Sequence, residues 1–307
     1  MFRNVVTFTF EPFVLPPIDD VRAGLAELPL ADPGPLELCR DGFLPPVQTD
    51  SEDPADLLVE VGGAWLLSIG TNKRALPGPA VDKALNAKLR AIEQQDGRRP
   101  GGRTRKRIKD EIIMEMLPKA PIVPGRTWAV IDTTTSRLHV DTSSVATAEA
   151  VASLIRRALG SFPALHLNAE VSPRSVLTGW VAGEPLPDGL SLGDALELRD
   201  PADKGAKVTM SGVEIYGDEV VRHLEHGRQA TRVQVVLDDH VSVVLGEDLV
   251  LRKLQLLDGA LDSLEQTERE DLAAEYGARL ALFSGELRRL MGVLDAAFKV
   301  TKMTATH

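Results

Sequence analysis

Seven cations fall within the thirteen residues Gly97–Lys109: Arg98, Arg99, Arg103, Arg105, Lys106, Arg107 and Lys109, with no acid among them. Guanidinium and ammonium groups at this density can neutralise the phosphates or carboxylates of a polyanion. The same run also suits a solvated helix face. The wider window Asn72–Lys119 holds 13 basic and 6 acidic residues, while the rest of the chain carries 22 and 39, so a net of +7 stands against a net of −17. An acidic body with one cationic element can bind phosphate locally while its overall charge limits indiscriminate adhesion.

Other chemistry is sparse. His223 and His226 stand at i, i+3 in HLEH order, without the spacing that puts two imidazoles and a base around a metal. In a last helical turn they read as dipole partners. Asp238-Asp239-His240 has the makings of a small acid cluster, but between two apolar runs it reads as turn chemistry. Asp110, Glu111 and Glu115 are the carboxylates near the cations, and their spacing makes intrahelical pairs with Lys106, Arg107 and Lys119. No GxxxxGK[ST] loop is present, and Gly97, Gly101 and Gly102 do not match a dinucleotide fingerprint. The single cysteine, Cys39, excludes an internal disulfide and a thiolate zinc cluster. Neither a cofactor nor a metal is therefore expected. No aromatic residue lies in Asn72–Lys119, which favours backbone contact to duplex over base stacking.

These groups need elements to position them, and the chain supplies an ordinary globular composition, 43% hydrophobic and 26% charged, with no membrane-length apolar run and no signal-peptide core. Phe2–Phe10 reads as a strand, Asp19–Leu28 as a helix and the proline-rich Pro29–Pro46 as an irregular connection. Leu57–Val61 and Trp65–Ile69 form a hairpin about Gly62-Gly63. Pro79–Gln95 aligns Val81, Leu85, Leu89 and Ile92, and Arg103–Leu117 aligns Ile108, Ile112 and Met116, predicting an antiparallel helical hairpin turned by Asp96–Gly102. Thr127–Thr133 and Arg137–Asp141 are strands of a mixed sheet. Ser144–Leu159 is a helix capped by Ser143 or Ser144 and ended by Gly160, with Arg156 and Arg157 at its negative end. Ser175–Val181 and Ser191–Leu196 read as helical, Lys207–Met210 as extended and Asp218–His226 as helical. Thr231–Leu237 and Val241–Leu245 form a hairpin, with Leu249–Leu256 as a third strand. Leu272, Tyr276, Leu280, Phe283, Leu287, Leu290, Leu294 and Phe298 mark one long helix, or two with a break near Ser284-Gly285.

Short motifs then follow in a recognisable order. They are Gly42-Phe43-Leu44-Pro45-Pro46, Leu76-Pro77-Gly78-Pro79-Ala80-Val81, Lys109-Asp110-Glu111-Ile112-Ile113, Leu117-Pro118-Lys119-Ala120, Leu159-Gly160-Ser161-Phe162-Pro163, Leu177-Thr178-Gly179-Trp180-Val181 and Leu282-Phe283-Ser284-Gly285-Glu286-Leu287. Together they make the chain resemble the bacterial recombination-associated RdgC family over essentially its whole length. The resemblance implies an α+β fold with a projecting helical region. It also implies a homodimeric ring with a positively charged hole, non-enzymatic duplex binding without sequence preference, a cytoplasmic and nucleoid location, and restraint of RecA-promoted recombination. Two departures stand out. Pro121-Ile122-Val123-Pro124 occupies a place where the family pattern has a phenylalanine. Met210-Ser211-Gly212-Val213 replaces a basic pair, leaving Lys204 and Lys207 as the nearest cations.

The expected architecture is α+β, with mixed sheets, packed helices and a basic helical hairpin. An N-terminal region 1–75 is completed by 119–170, the hairpin spans 76–118, and a C-terminal region spans 171–307. The candidate DNA-binding residues are Lys73, Arg74, Lys88, Arg98, Arg99, Arg103, Arg105, Lys106, Arg107, Lys109 and Lys119. The expected partners are double-stranded DNA, with single strands as a second candidate, a second copy of the chain and, in antagonism, a RecA-type recombinase. A metal-dependent nuclease and a protein–protein adaptor with a basic interface are the alternatives.

Overall fold

The computed structural model describes residues 2–11, 15–47, 56–203, 206–265 and 272–301. In chain order the elements begin with β1 (Val6–Thr9), α1 (Ile18–Ala26), β2 (Cys39–Leu44), β3 (Leu58–Val61), β4 (Ala64–Arg74), α2 (Gly78–Asp96) and α3 (Gly102–Met116). There follow β5 (Ile122–Asp132), β6 (Arg137–Val140), α4 (Val145–Leu159), β7 (Leu165–His166), α5 (Pro173–Val181), β8 (Leu190–Arg199) and β9 (Lys207–Met210). The last are α6 (Asp218–Glu225), β10 (Gln229–Leu237), β11 (Val241–Gly246), β12 (Leu251–Leu256), α7 (Asp258–Glu265) and α8 (Leu272–Phe298). The class is α+β, as the family resemblance implied.

Strands pair in the order β2-β4-β5-β6-β1-β7, with β3 added to β4, and in a second sheet β12-β11-β10-β8-β9. Every pair of defined register is antiparallel, so the expectation of mixed sheets is corrected. Tight turns set two of these pairs: Gly62 and Gly63 at φ 56° and 77° return β4 beside β3, and Asp238 and Asp239 at φ 48° and 56° return β11 beside β10.

Contacts divide the chain into two units, one of residues 1–27, 45–68 and 128–307, the other of 28–44 and 69–127. In the first, the β10–β11 hairpin alternates buried Val233, Val235 and Leu237 against Val241, Val243 and Leu245, and α8 supplies Leu280, Phe283, Leu287, Leu290, Leu294 and Phe298. Part-buried ion pairs also tie α8 to β5 and β6 of the first sheet. Arg288 grips Asp132 with two hydrogen bonds, 2.8 and 2.9 Å, and Arg137 pairs with Asp295. Burial would raise the Asp132 pKa, but the hydrogen bonds from Arg288 and Thr135 and the Arg288 charge hold it below its ordinary value. His139, bonded through Nδ1 to Thr7 Oγ1 at 3.0 Å, is kept neutral: burial first, then the Arg137 charge, pushes its pKa down to about 3.

Several local expectations are corrected. Ser191–Leu196 is strand, within β8, because Leu190, Leu192, Leu196 and Leu198 obey a period of two and β10 pairs along them. The segment Pro29–Pro46 contains β2, whose proline-free stretch lets Gly42 approach the Leu30 backbone so closely that a Cβ would lie 2.4 Å from its nitrogen. β5 starts at Ile122 and runs through Pro124, earlier than the pattern indicated. The long C-terminal helix, in contrast, is the first of the two readings given for it: α8 is continuous through Ser284-Gly285, and Tyr276 within its apolar row is 44% exposed. The Leu272 and Lys204 side chains lie outside the described residues.

Candidate nucleic-acid interface

The basic element is the hairpin of α2 and α3, and its two helices hold each other. Pro77 precedes α2 and Pro79 sits in its first turn, where a missing N–H costs nothing. Gly97, at φ 66°, closes it with its N–H on the Glu93 carbonyl. Gly101 then opens α3. Val81, Leu85, Ile108 and Ile112 are buried against one another, with Ala84, Leu89, Ile92, Ile113 and Met116 packed around them. This is the pair of apolar faces that periodicity indicated. The remaining faces are left to charge.

The eleven candidate residues separate into three groups. Lys88 bonds Glu115 at 3.0 Å, Arg99 bonds Glu93 at 3.3 Å, and two looser ion pairs set Arg107 3.5 Å from Glu111 and Lys109 3.7 Å from Asp82. Exposed pairs of this kind contribute only about 0.2–1 kcal/mol each and open readily. Arg74 is half-buried and donates to the carbonyls of Pro33, Gly34, Ala120 and, at 3.5 Å, Pro118. It holds the base of the hairpin to the preceding loop. Lys73, Arg98, Arg103, Arg105, Lys106 and Lys119 are exposed and have no side-chain partner among the described residues.

Of the carboxylates expected to pair within the helix, Glu111 does so with Arg107. Glu115 instead takes Lys88 across the hairpin, because α3 ends at Met116 and the tighter turn Leu117–Lys119 carries Lys119 out of its row.

Electrostatically the tip is unbalanced. The first turn of α3 contains no acid, and Arg103, Arg105 and Lys106 stand where the helix dipole is already positive. Such a terminus is unfavourable to itself and favourable to an anion. Beside it Asn86, Leu89, Arg90, Glu93, Arg99, Pro100 and Arg105 line a hollow of about 290 Å3. Arg90 lies within the cationic window but is not among the candidate residues. Its signal was position: it follows Leu89 on the seam of α2 and so edges the apolar face.

The weaker motifs resolve into structure. His226 Nδ1 lies 2.6 Å from the Arg222 carbonyl, and His223 Nδ1 lies 2.9 Å from Arg228. Asp238 and Asp239 are the positive-φ centre of a turn, with Asp238 paired to Arg289 and His240 bonded to Glu286 at 3.0 Å. Lys207 sits 3.9 Å from Glu197, which Arg199 and Arg232 also reach. Among the described residues, no three His, Cys, Asp or Glu side chains are grouped to hold a metal, and no helix is long and apolar enough to cross a membrane.

Comparison with known proteins gives a consistent set. A family model described as "RdgC: Putative exonuclease, RdgC" matches residues 1–301. A protein of Xanthomonas campestris pv. campestris named "Recombination-associated protein RdgC" is 47% identical over 304 residues, covering 99% of both chains. Proteins of the same name from Xanthomonas axonopodis pv. citri and Stenotrophomonas maltophilia are 47% and 44% identical over 301 residues, each covering 98% of this chain and 99% of the relative.

Proposed function

Because this chain belongs to the RdgC family of recombination-associated proteins, we propose that it is a non-catalytic DNA-binding protein that grips the phosphates of duplex DNA without reading sequence. The observation that carries this reading is the tip of the hairpin. Arg98, Arg103, Arg105 and Lys106 are exposed, lack side-chain partners among the described residues, and crowd the positive end of α3. Counterions condensed on DNA are released when such groups replace them, which is the main source of sequence-independent affinity. The window Asn72–Lys119 has no aromatic to stack on a base, so contact is to the backbone.

One basic element on an acidic chain surrounds a duplex only if a second copy closes the path, so the working form is a closed two-fold homodimer. A ring on nucleoid DNA would obstruct a RecA-type filament and so restrain recombination. Circular DNA should then release the protein more slowly than short linear DNA, whose ends let a ring slide off. Equal release, or a monomer in sedimentation at micromolar concentration, rules out encirclement.

The family model's description as an exonuclease supports a second reading, a metal-dependent nuclease. Duplex DNA incubated with protein and magnesium distinguishes the two. A shifted and intact duplex supports the binding protein, and shortened strands support the nuclease. An unshifted duplex leaves the arginines to an acidic protein partner.

A further inference from the structure

The unit that contains the second sheet has a hollow of about 720 Å3, formed by the start of the chain, β12 and α8. Its wall presents Arg3, Asn4, Lys253 and Gln255, and its base is Phe2 and Phe283, whose rings pack 4.9 Å apart. Among the described residues, no carboxylate lines it. The Arg3 and Lys253 side chains are exposed and have no partner among the described residues.

The way these two cations are placed is informative. Ser242 pairs with Gln255 and Val244 with Arg252, so β12 carries one residue more than β11 across the same interval. Such a bulge re-aims side chains. At this one Lys253 takes φ +51°, a conformation a lysine adopts only when its surroundings impose it. The surroundings are specific: the Lys253 N–H donates to Asn4 Oδ1 at 3.4 Å, and the Leu254 N–H donates to the Arg3 carbonyl at 2.8 Å. On the other side, the Arg3 and Asn4 N–H groups both donate to Asp141 Oδ1, at 2.9 and 3.1 Å. The Asp141 carboxylate is thus held by main-chain amides, and the Arg3 guanidinium has no partner among the described residues.

We infer that this hollow binds one nucleotide unit, with the phosphate between Arg3 and Lys253 and the base edge on the amides of Asn4 and Gln255. Its volume falls in the ordinary range of small-molecule sites, about 300–1000 Å3. Cations bind the phosphate, while a side-chain amide offers both a donor and an acceptor to a base. The aromatic rings at the bottom are buried, so recognition rests on charge and hydrogen bonds rather than stacking. The site stands independently of the hairpin. The nucleotide is either free or one link of a single strand.

The test uses the full chain with Arg98, Arg103, Arg105 and Lys106 replaced by alanine, so that the hairpin does not obscure the result. Calorimetric titration compares thymidine monophosphate, inorganic phosphate and a short oligothymidylate. Thymidine monophosphate should bind more tightly than phosphate, and Arg3→Ala with Lys253→Gly should weaken it at least about tenfold, as loss of charged hydrogen bonds does. Glycine at 253 relieves the positive φ, so the melting temperature should hold or rise and misfolding would not explain the loss. Displacement of the mononucleotide by oligothymidylate identifies a strand as the ligand, and its failure to displace identifies the free nucleotide. Equal affinity for phosphate and thymidine monophosphate, or binding indifferent to the two substitutions, overturns the inference. Failure of the hairpin reading would show separately, as duplex affinity unchanged in the parent variant.

Discussion

The sharpest consequence of the pairing pattern at the hairpin is that cations of equal formal charge should contribute unequally to DNA binding. Arg98, Arg103, Arg105 and Lys106 are unpaired among the described residues, and the proposed two-fold dimer would present them twice. Eight phosphate contacts at about −0.9 each give log K against log[salt] a slope of about −7. Replacing Arg103, Arg105 and Lys106 with alanine removes six, so the slope should flatten to about −2. The helix should survive, because alanine is a strong helix former and the buried Ile108 and Ile112 are untouched. A matched variant, Lys88→Ala with Arg107→Ala and Lys109→Ala, removes the same charge from groups that already hold Glu115, Glu111 and Asp82. It should change the slope much less. Fluorescence anisotropy of one labelled duplex across a salt series reads both slopes, with circular dichroism checking the fold. Equal flattening in the two variants would refute the argument from pairing and leave only net charge. An unchanged slope in the first variant would make the whole run a solvated face.

Three further outcomes follow from the interior. His139 is neutral when folded, with its pKa at about 3, and returns toward 6.5 when unfolded, so the unfolded chain takes up a proton that the folded one refuses. Stability should therefore fall on acidification below about pH 6.5, by up to about 1.4 kcal/mol per pH unit, and His139→Gln should flatten this dependence in urea titrations. The comparison belongs above pH 4.5, the ordinary value of Glu37 and Glu197, below which these two and then Asp132 and Asp248, all held low in the fold, add a loss of the same sign. Ile112→Ala should cost about 2–4 kcal/mol and raise amide exchange across α2 and α3 first, since that seam has few buried residues; uniform protection would contradict this. Gly42→Ala should lower the melting temperature, because its Cβ would meet the Leu30 nitrogen at 2.4 Å and backbone cannot step aside; an unchanged melt would show that the β2 region relaxes freely.

Much of this architecture was legible where one period dominated. The hairpin seam of Val81, Leu85, Ile108 and Ile112 could be read from spacing alone, and so could the capped helix α4, where Ser144 Oγ accepts from the Thr147 N–H at 3.3 Å. Misreadings arose where two periods coincide. Leu192 and Leu196 are four apart, which fits a helix face, but also an even number apart, which fits a strand, and only pairing with β10 decides. The β2 strand was hidden by the prolines around it, since composition averages over a window and pairing does not. At the candidate site, residue types located the charge but not which charges were free. Glu115 looked like a partner for Lys119 and belongs to Lys88, a fact of packing between helices that no local spacing encodes. Arg74 read as one more cation and is tied to backbone carbonyls.

The self-contained seam of α2 and α3 also bears on how such a chain can change over generations. Because Val81, Leu85, Ile108 and Ile112 are buried against one another, the outward residues and the loop Gly97–Gly101 answer to few packing constraints. Exposed loop tips of this kind tolerate insertion and exchange better than any other part of a protein. Mutation can therefore add, remove or re-pair an arginine there one at a time without disturbing the interior. If the hairpin grips DNA as proposed, the strength of that grip becomes a heritable dial, adjustable without any change to the sheets that carry the fold.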